Sequence, residues 1–131
     1  MSGFLQMLTD SAARSAKGMI TGEPKEPVRT PWRDVHEKAR RLAGALLADP
    51  VPGRGDAVAV LAAEPAQIAP AAQAVWLAGG SVTMLHQPTA RTDLAAWAED
   101  TVSVLKMIDA ELVLLGAPFD ALAPVLVERG I

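Results

Sequence analysis

The stretch Ala57-Val58-Ala59-Val60-Leu61-Ala62 decides the fold prediction for this 131-residue chain. Every residue in it is apolar, without the alternation that marks a strand with one solvent-facing side. Such a run is typical of a parallel strand that is covered on both faces. We therefore expect an α/β fold, in which helices flank a parallel sheet.

The pattern on the C-terminal side of this stretch extends the prediction. Segments 81–85 and 112–115 are short apolar runs that predict two more strands. Helices are predicted over 67–78, from a cap at Thr92 or Asp93 to about 109, and over 118–129 up to Gly130. The inner side of the second of these helices is expected to carry Leu94, Trp97, Ala98, Thr101, Val102, Leu105 and Ile108. Strands that alternate with helices predict a parallel sheet with right-handed crossovers.

The N-terminal side predicts two helices around a hairpin. Apolar residues at helical spacing predict a short amphipathic helix that ends near Gly18. Segments 19–21 and 28–30 are extended and flank a turn rich in glycine and proline, which predicts a hairpin over 19–30. Thr30 is expected to cap the next helix, with Pro31 at its first position. That helix has an apolar stripe of Trp32, Val35, Ala39, Leu42, Ala43 and Leu46.

Two features predict that polypeptide is missing. The helix over 67–78 is apolar nearly all round, with only Gln67 and Gln73 polar, and such helices are normally buried on every side. Its outer face would then expose an apolar patch that could also drive self-association. The alternative is that its alanines make the outer face only mildly apolar. A capping glycine followed by Ile131 resembles the start of a further strand, which favours a truncated chain.

Composition excludes several classes of protein. The net charge is −3 with no basic block, so a nucleic-acid partner is not expected. There is no cysteine, hence no disulfide framework or cysteine-ligated zinc, and the first residues lack the pattern of a secretory signal. Segment 68–85 is long enough to span a membrane, but Pro70 and the pair Gly79-Gly80 interrupt it. We therefore expect a cytoplasmic protein without a membrane span.

No motif in the chain assembles a catalytic or metal site. Segment 53–58 (GRGDAV) lacks the third glycine of a dinucleotide fingerprint and precedes a strand, so we expect a turn at 52–56; no phosphate loop or nucleophile elbow occurs. Of the two histidines, His36 is expected at the boundary of its helix stripe. His86 follows a strand at the sheet edge where α/β folds bind ligands, but we interpret it first as scaffold. Four carboxylates near element ends are interpreted as solvated or dipole-related: Glu64, Asp93, Glu99 and Asp100. We accordingly assign no catalytic, cofactor-binding or metal-binding residue.

The order of these segments resembles the N-terminal part of the adenylate-forming fatty-acid ligases, that is, the fatty-acyl-AMP ligases and fatty-acyl-CoA synthetases. The resemblance runs through 31–35 (PWRDV), 39–46 (ARRLAGAL), 55–61 (GDAVAVL), 76–80 (WLAGG), 82–85 (VTML) with Pro88-Thr89, and 110–114 (AELVL). Segment 91–109 is more similar to the fatty-acyl-AMP ligases. Where the family commonly has an asparagine before the proline of the loop, this chain has Gln87.

The resemblance implies an ATP-dependent enzyme that forms an acyl-adenylate and passes the acyl group to CoA or to a carrier-protein thiol, with Mg²⁺ beside ATP. The family's phosphate loop, adenylate-binding motifs and C-terminal lysine would lie beyond Ile131. The resemblance thus implies that residues 1–131 are the N-terminal portion of the large adenylation domain, with a hairpin at 19–30 and an α/β layer at 31–131, and are inactive alone. A self-standing α/β domain that binds a ligand or another protein is the alternative.

Overall fold

The computed structural model describes residues 2–48 and 55–131 of the chain. In these two segments the elements follow in this order: α1 (Gly3–Arg14), β1 (Gly18–Glu23), β2 (Glu26–Pro31), α2 (Trp32–Ala48), β3 (Ala57–Leu61), α3 (Pro65–Leu77), β4 (Ser81–Met84), α4 (Leu94–Met107), β5 (Leu112–Leu115), a 3₁₀ turn (Phe119–Leu122) and α5 (Ala123–Glu128). The α/β class predicted from the sequence is confirmed.

A parallel sheet with the strand order β4-β3-β5 forms the centre of the fold. β3 lies in the middle, with Val58 beside Val82 on one neighbour and Leu112 on the other. Its last four residues are buried, because it has a strand on each side and helices on both faces. The continuous apolar run at 57–61 therefore marks the central strand.

Each face of the sheet contributes to a separate apolar core. On one face, Ala59, Leu61, Val113 and Leu115 pack with residues of α4 and α5. On the other, Leu112 and Leu114 of β5 pack against a cluster built by α2 and α3. Because α3 links β3 to β4 on one face and α4 links β4 to β5 on the other, both crossovers can be right-handed. Successive side chains along a strand point to opposite faces of the sheet, so alternate residues of β5 belong to different clusters.

The expectation that α3 exposes a broad apolar face is wrong. α2 packs along α3, with Ala39 and Ala43 of α2 in the same cluster as Ala74 and Ala78. From α1, Phe4 places its ring edge-on to Trp76 at a centroid distance of 5.2 Å. The small alanine side chains let the two helices approach closely, so the neighbouring helices of this chain cover α3.

α3 also differs from the prediction at its two prolines, Pro65 and Pro70. The helix begins at Pro65, two residues earlier than expected, and continues through Pro70, which is buried. Pro70 cannot donate a backbone hydrogen bond, but tertiary packing retains the helix in spite of that loss. The interruption of segment 68–85 lies at Gly79, which has a φ of 89°, and not at Pro70. Within the described parts of the chain, no helix is long and apolar enough to cross a membrane.

The predicted hairpin is confirmed, and its strands are longer than expected. β1 and β2 pair antiparallel from Gly18 opposite Pro31 to Glu23 opposite Glu26. α1 consequently ends at Arg14 rather than near Gly18. The prediction that Thr30 caps α2 with Pro31 at its first position is wrong, since both lie in β2 and α2 begins at Trp32.

The C-terminal elements follow the prediction with local differences. The side chain of Asp93 caps α4 by accepting hydrogen bonds from the amides of Ala95 and Ala96. Leu94 is 64% exposed, so it does not belong to the inner side of α4 as predicted. The expected last helix begins as a 3₁₀ turn and continues as α5, and Gly130 ends it with a φ of 84°. Of the predicted turn at 52–56, residues 52–54 lie outside the described residues, and Gly55 has the positive φ that favours glycine.

Candidate functional site

The loop that leaves β4, His86 to Arg91, lies where the sheet's strands end. The side-chain amide of Gln87 donates a hydrogen bond of 2.6 Å to the carbonyl of Ala62, just past the end of β3. The indole Nε1–H of Trp97 donates to the carbonyl of His86 at 2.8 Å. The loop is thus attached both to the central strand and to α4. The contact with Trp97 uses the backbone of His86, whose side chain is exposed.

A threonine pair stabilises the second half of this loop. The hydroxyl of Thr92 accepts from the amide of Thr89 at 2.8 Å, and the two hydroxyl oxygens lie 2.9 Å apart. The amide of Thr92 donates to the carbonyl of Thr89 at 3.0 Å. Thr92, the alternative cap for α4, therefore serves this turn, and Asp93 caps the helix.

Gly116 brings the end of β5 close to the other two strand ends. A Cβ at this position would lie 2.5 Å from Oε1 of Gln67 and 2.6 Å from the Cβ of Ala62. The amide of Gly116 donates to the carbonyl of Leu61 at 2.9 Å. Only glycine permits this approach without displacement of its neighbours. The carboxyl edge of the sheet is therefore closely packed at its centre.

A small open cavity beside the edge brings two predicted residues together. His86 and Asp100 both line it, with apolar walls from Leu85 and Trp97, and its volume is about 240 Å³. An imidazole and a carboxylate can exchange protons with a bound molecule. The walls also include Thr101, whose hydroxyl donates a hydrogen bond of 2.8 Å to the carbonyl of Trp97. By its residue types the cavity can bind a small group.

The remaining candidate carboxylates lie apart from this cavity. Glu64 precedes α3 without forming a side-chain cap bond, and Asp93 is used as a cap. Glu99 pairs with Arg129 of the C-terminal segment through two hydrogen bonds of 2.6 and 2.9 Å. The hydrogen bond from Arg129, and then its positive charge, holds the pKa of the Glu99 carboxyl below its ordinary value. This exposed pair joins α4 to the end of α5, a contact that the sequence analysis did not predict.

Sequence reasoning also missed a buried polar pair between α2 and α3. His36 is 6% exposed and Gln73 is 9% exposed, and Nδ1 of the histidine lies 3.0 Å from Oε1 of the glutamine. An amide oxygen only accepts, so Nδ1 carries the proton. Among the described residues Nε2 has no hydrogen-bond partner. His36 is therefore buried and not at a boundary as predicted; the one signal for it was a glutamine in the middle of an otherwise apolar helix.

Side-chain clusters that could hold a metal ion are not found in the described segments. Residues 2–48 and 55–131 contain no cluster of three or more histidine, aspartate or glutamate side chains suited to a metal. The side chain nearest the start of α3 is the carboxylate of Glu64, which repels phosphate. The described residues therefore offer no cluster suited to magnesium, and the start of α3 does not fit a phosphate.

The chain is similar in sequence to a longer mycobacterial protein. No family model matches the chain. Over 130 residues it is 52% identical to "Putative ligase Rv1013" of Mycobacterium tuberculosis, a match that covers 99% of this chain and 24% of the relative. The chain thus spans about a quarter of the length of this relative.

Many solved structures share the fold, among them the following two. The fatty acyl-adenylate ligase of Legionella pneumophila, solved with acyl adenylate and pyrophosphate, superposes with a TM-score of 0.74 at 16% identity over 89% of this chain and 20% of that one. The N-terminal domain of FACL13 from Mycobacterium tuberculosis, solved with an inhibitor, has a TM-score of 0.72 at 23% identity over 100% of this chain and 30% of that one. The chain therefore has the fold of the N-terminal part of the adenylate-forming enzymes, as the resemblance in its sequence predicts, and it is related in sequence to the mycobacterial "Putative ligase Rv1013".

Proposed function

We propose that the chain forms the N-terminal α/β layer of an ATP-dependent ligase that activates a fatty acid. In this reaction the fatty-acid carboxylate attacks the α-phosphorus of ATP, which forms the acyl-adenylate and releases pyrophosphate. A thiol of CoA or of a carrier protein then attacks the acyl carbonyl and releases AMP. The observation that carries the proposal is the 52% identity to the mycobacterial ligase along nearly the whole chain.

The part of this chain in the reaction is structural. Its described residues hold no cluster of carboxylates or histidines suited to magnesium. They supply a sheet at whose carboxyl edge Gln87 and Trp97 hold the loop after β4, and sites built on strands are positioned more precisely than sites on loops. Residues 1–131 then constitute the N-terminal portion of the large adenylation domain of a cytoplasmic enzyme, with the hairpin at 19–30 and the layer at 31–131. The chain alone is expected to release no pyrophosphate from ATP, magnesium and a fatty acid.

A chimera tests the proposal. The matched part of the mycobacterial relative is replaced by this chain, and fatty-acid-dependent exchange of pyrophosphate into ATP is measured beside the intact relative. We expect exchange within about tenfold of the relative, a change of about 1.4 kcal/mol in the barrier. A folded chimera without exchange, next to an active relative, would refute the proposal. Exchange by this chain on its own would refute the purely structural role.

A further inference from the structure

A second cavity lies between the end of α1, the start of α2 and the middle of α3. Its volume is about 350 Å³, and its lining consists of Leu8, Ser11, Ala12, Ser15, Trp32 and Gln73. It shares no lining residue with the cavity at His86. Ligand pockets in proteins have volumes of about 300–1,000 Å³, so this cavity is large enough for a small molecule.

Gln73 presents an unused hydrogen-bond donor to this cavity. The residue is 9% exposed, and its Oε1 accepts from Nδ1 of His36 at 3.0 Å. Because the side-chain amide is planar, its NH2 group points away from the histidine. This nitrogen has no hydrogen-bond partner among the described residues, yet it is not one of the two fully enclosed atoms without a partner, Thr9 Oγ1 and His36 Nε2. It is therefore reached from the cavity that Gln73 lines.

The rest of the lining determines what kind of molecule fits. Leu8, Ala12 and the ring of Trp32 are apolar walls, and the Ser15 hydroxyl already accepts from the amide of Lys17 at 3.1 Å. A polar group that is buried without a partner is costly, so the Gln73 donor favours a ligand that brings an acceptor. A fitting ligand combines this acceptor with an apolar body.

Basic side chains lie beside this lining. Those near the end of α1 are Arg14, Lys17, Arg29 and Arg33. Arg33 donates to the carbonyl of Ala13 at 3.2 Å, and Arg29 donates to the carbonyl of Ala16; these two alanines directly follow lining residues. The acid on this side of α1, Asp10, is already paired with Arg14 at 3.6 Å. The positive charge here favours an anionic acceptor over a neutral one.

We propose that this cavity binds a small carboxylic acid, in its ionised form, that carries an apolar chain. The carboxylate accepts a hydrogen bond from the Gln73 amide, and the chain packs against Leu8, Ala12 and Trp32. The bond from His36 to Oε1 holds the amide in the orientation that turns its NH2 group to the ligand. This site goes beyond the proposed function and does not depend on it, because all of its residues belong to this chain and its occupation needs no ATP.

Titration of the 131-residue chain with octanoate tests the proposal. Calorimetry measures the Kd, and proton–nitrogen NMR spectra follow the side-chain NH2 signals of Gln73. We expect saturable binding with a Kd of about 1 mM or below, within reach of a ligand of about ten non-hydrogen atoms, and a shift of these signals. Absence of saturable binding would overturn the proposal, and so would binding that leaves the Gln73 signals unchanged.

Octanamide separates the effect of charge from that of shape. It has the same chain and the same number of non-hydrogen atoms as octanoate, but it carries no charge. We expect it to bind at least about tenfold more weakly, because hydrogen bonds to an ionised acceptor are stronger than those to a neutral one. Equal or tighter binding of octanamide would overturn the assignment to a carboxylate.

Two pairs of variants locate the site. Ser11→Leu narrows the cavity from an exposed position of α1, and Ser103→Leu makes the same change at an exposed position of α4 outside the lining. Gln73→Glu keeps an acceptor for His36 but replaces the NH2 donor by an oxygen that repels a carboxylate. Its control is Gln67→Glu, at an exposed position of α3.

The two variants in the cavity should weaken octanoate binding at least about tenfold, and the two controls should change it by no more than about twofold. Circular dichroism establishes that each variant is folded, and Ser11→Leu decides the question alone if Gln73→Glu does not fold. Unchanged affinity in the folded cavity variants would overturn the assignment to this site.

Discussion

Replacement of Gln73 by leucine should destabilise the chain through His36. The substitution keeps an apolar surface against α2 but removes the oxygen 3.0 Å from Nδ1 of the histidine. His36 is only 6% exposed, so its N–H cannot find water without movement of the helices. A buried donor without a partner costs about 1–3 kcal/mol, and we expect a loss of this size in the free energy of unfolding.

The measurement is urea unfolding of the 131-residue chain, followed by circular dichroism. Gln67→Leu is the matched control, because it makes the same change in the same helix at an exposed position. It should alter the free energy of unfolding by no more than about 0.5 kcal/mol. Equal effects of the two substitutions would show that the buried pair contributes nothing.

A double-mutant cycle separates the hydrogen bond from packing. In His36→Leu/Gln73→Leu no polar group remains to be satisfied, so the double variant should recover much of the stability lost in Gln73→Leu. We expect an interaction energy of about 1–2 kcal/mol between the two sites. Strictly additive effects would refute the interpretation that Gln73 is needed because His36 is buried.

Three further predictions concern the core, the sheet edge and the surface. Leu105→Ala, at a side chain that is 1% exposed, should lower the free energy of unfolding by about 2–5 kcal/mol in urea denaturation, since it leaves a cavity. Gly116→Ala should cost about 1–3 kcal/mol in the same assay because its Cβ overlaps Gln67 and Ala62, whereas Gly44→Ala, in α2 with nothing within 4 Å, should stabilise by about 0.5–1 kcal/mol. The pKa of the Glu99 carboxyl is lowered in the folded chain, so its pairing with Arg129 stabilises the fold when the pH is above the pKa of this carboxyl in the unfolded chain. This contribution is lost as the pH falls through the pKa of the carboxyl in the folded chain. Arg129→Gln should raise the pKa of Glu99 in an NMR titration, and an unchanged pKa would contradict the pairing.

The central sheet was predictable from the sequence because its signals are local. β5 has the predicted bounds, and β3 ends one residue before the predicted end. A short apolar run that follows glycine, as β3 follows Gly55 and β4 follows Gly79-Gly80, favours a buried strand over a helix. Asp93 as a cap was likewise predictable, since its hydrogen bonds reach only two and three residues along the chain.

The loop after β4 makes its observed hydrogen bonds to β3 and α4 of the same chain. The sequence placed His86 and Gln87 after a strand, which is a local fact. That Gln87 binds the carbonyl of Ala62, and that His86 shares a cavity with Asp100, depends on which strands are neighbours and on where α4 crosses the sheet. Spacing along the chain carries no information on such distances.

The sequence by itself determined the α/β class, the central strands and the alternation of helices with them, because apolar periodicity and capping act within a few residues. Only the tertiary structure decided what covers α3, that His36 is buried, and that Pro31 ends a strand and does not start a helix. Each of these depends on which element packs against which. A side chain is buried only where another segment packs against it. The composition of one segment therefore predicts that it is covered, but not which segment covers it.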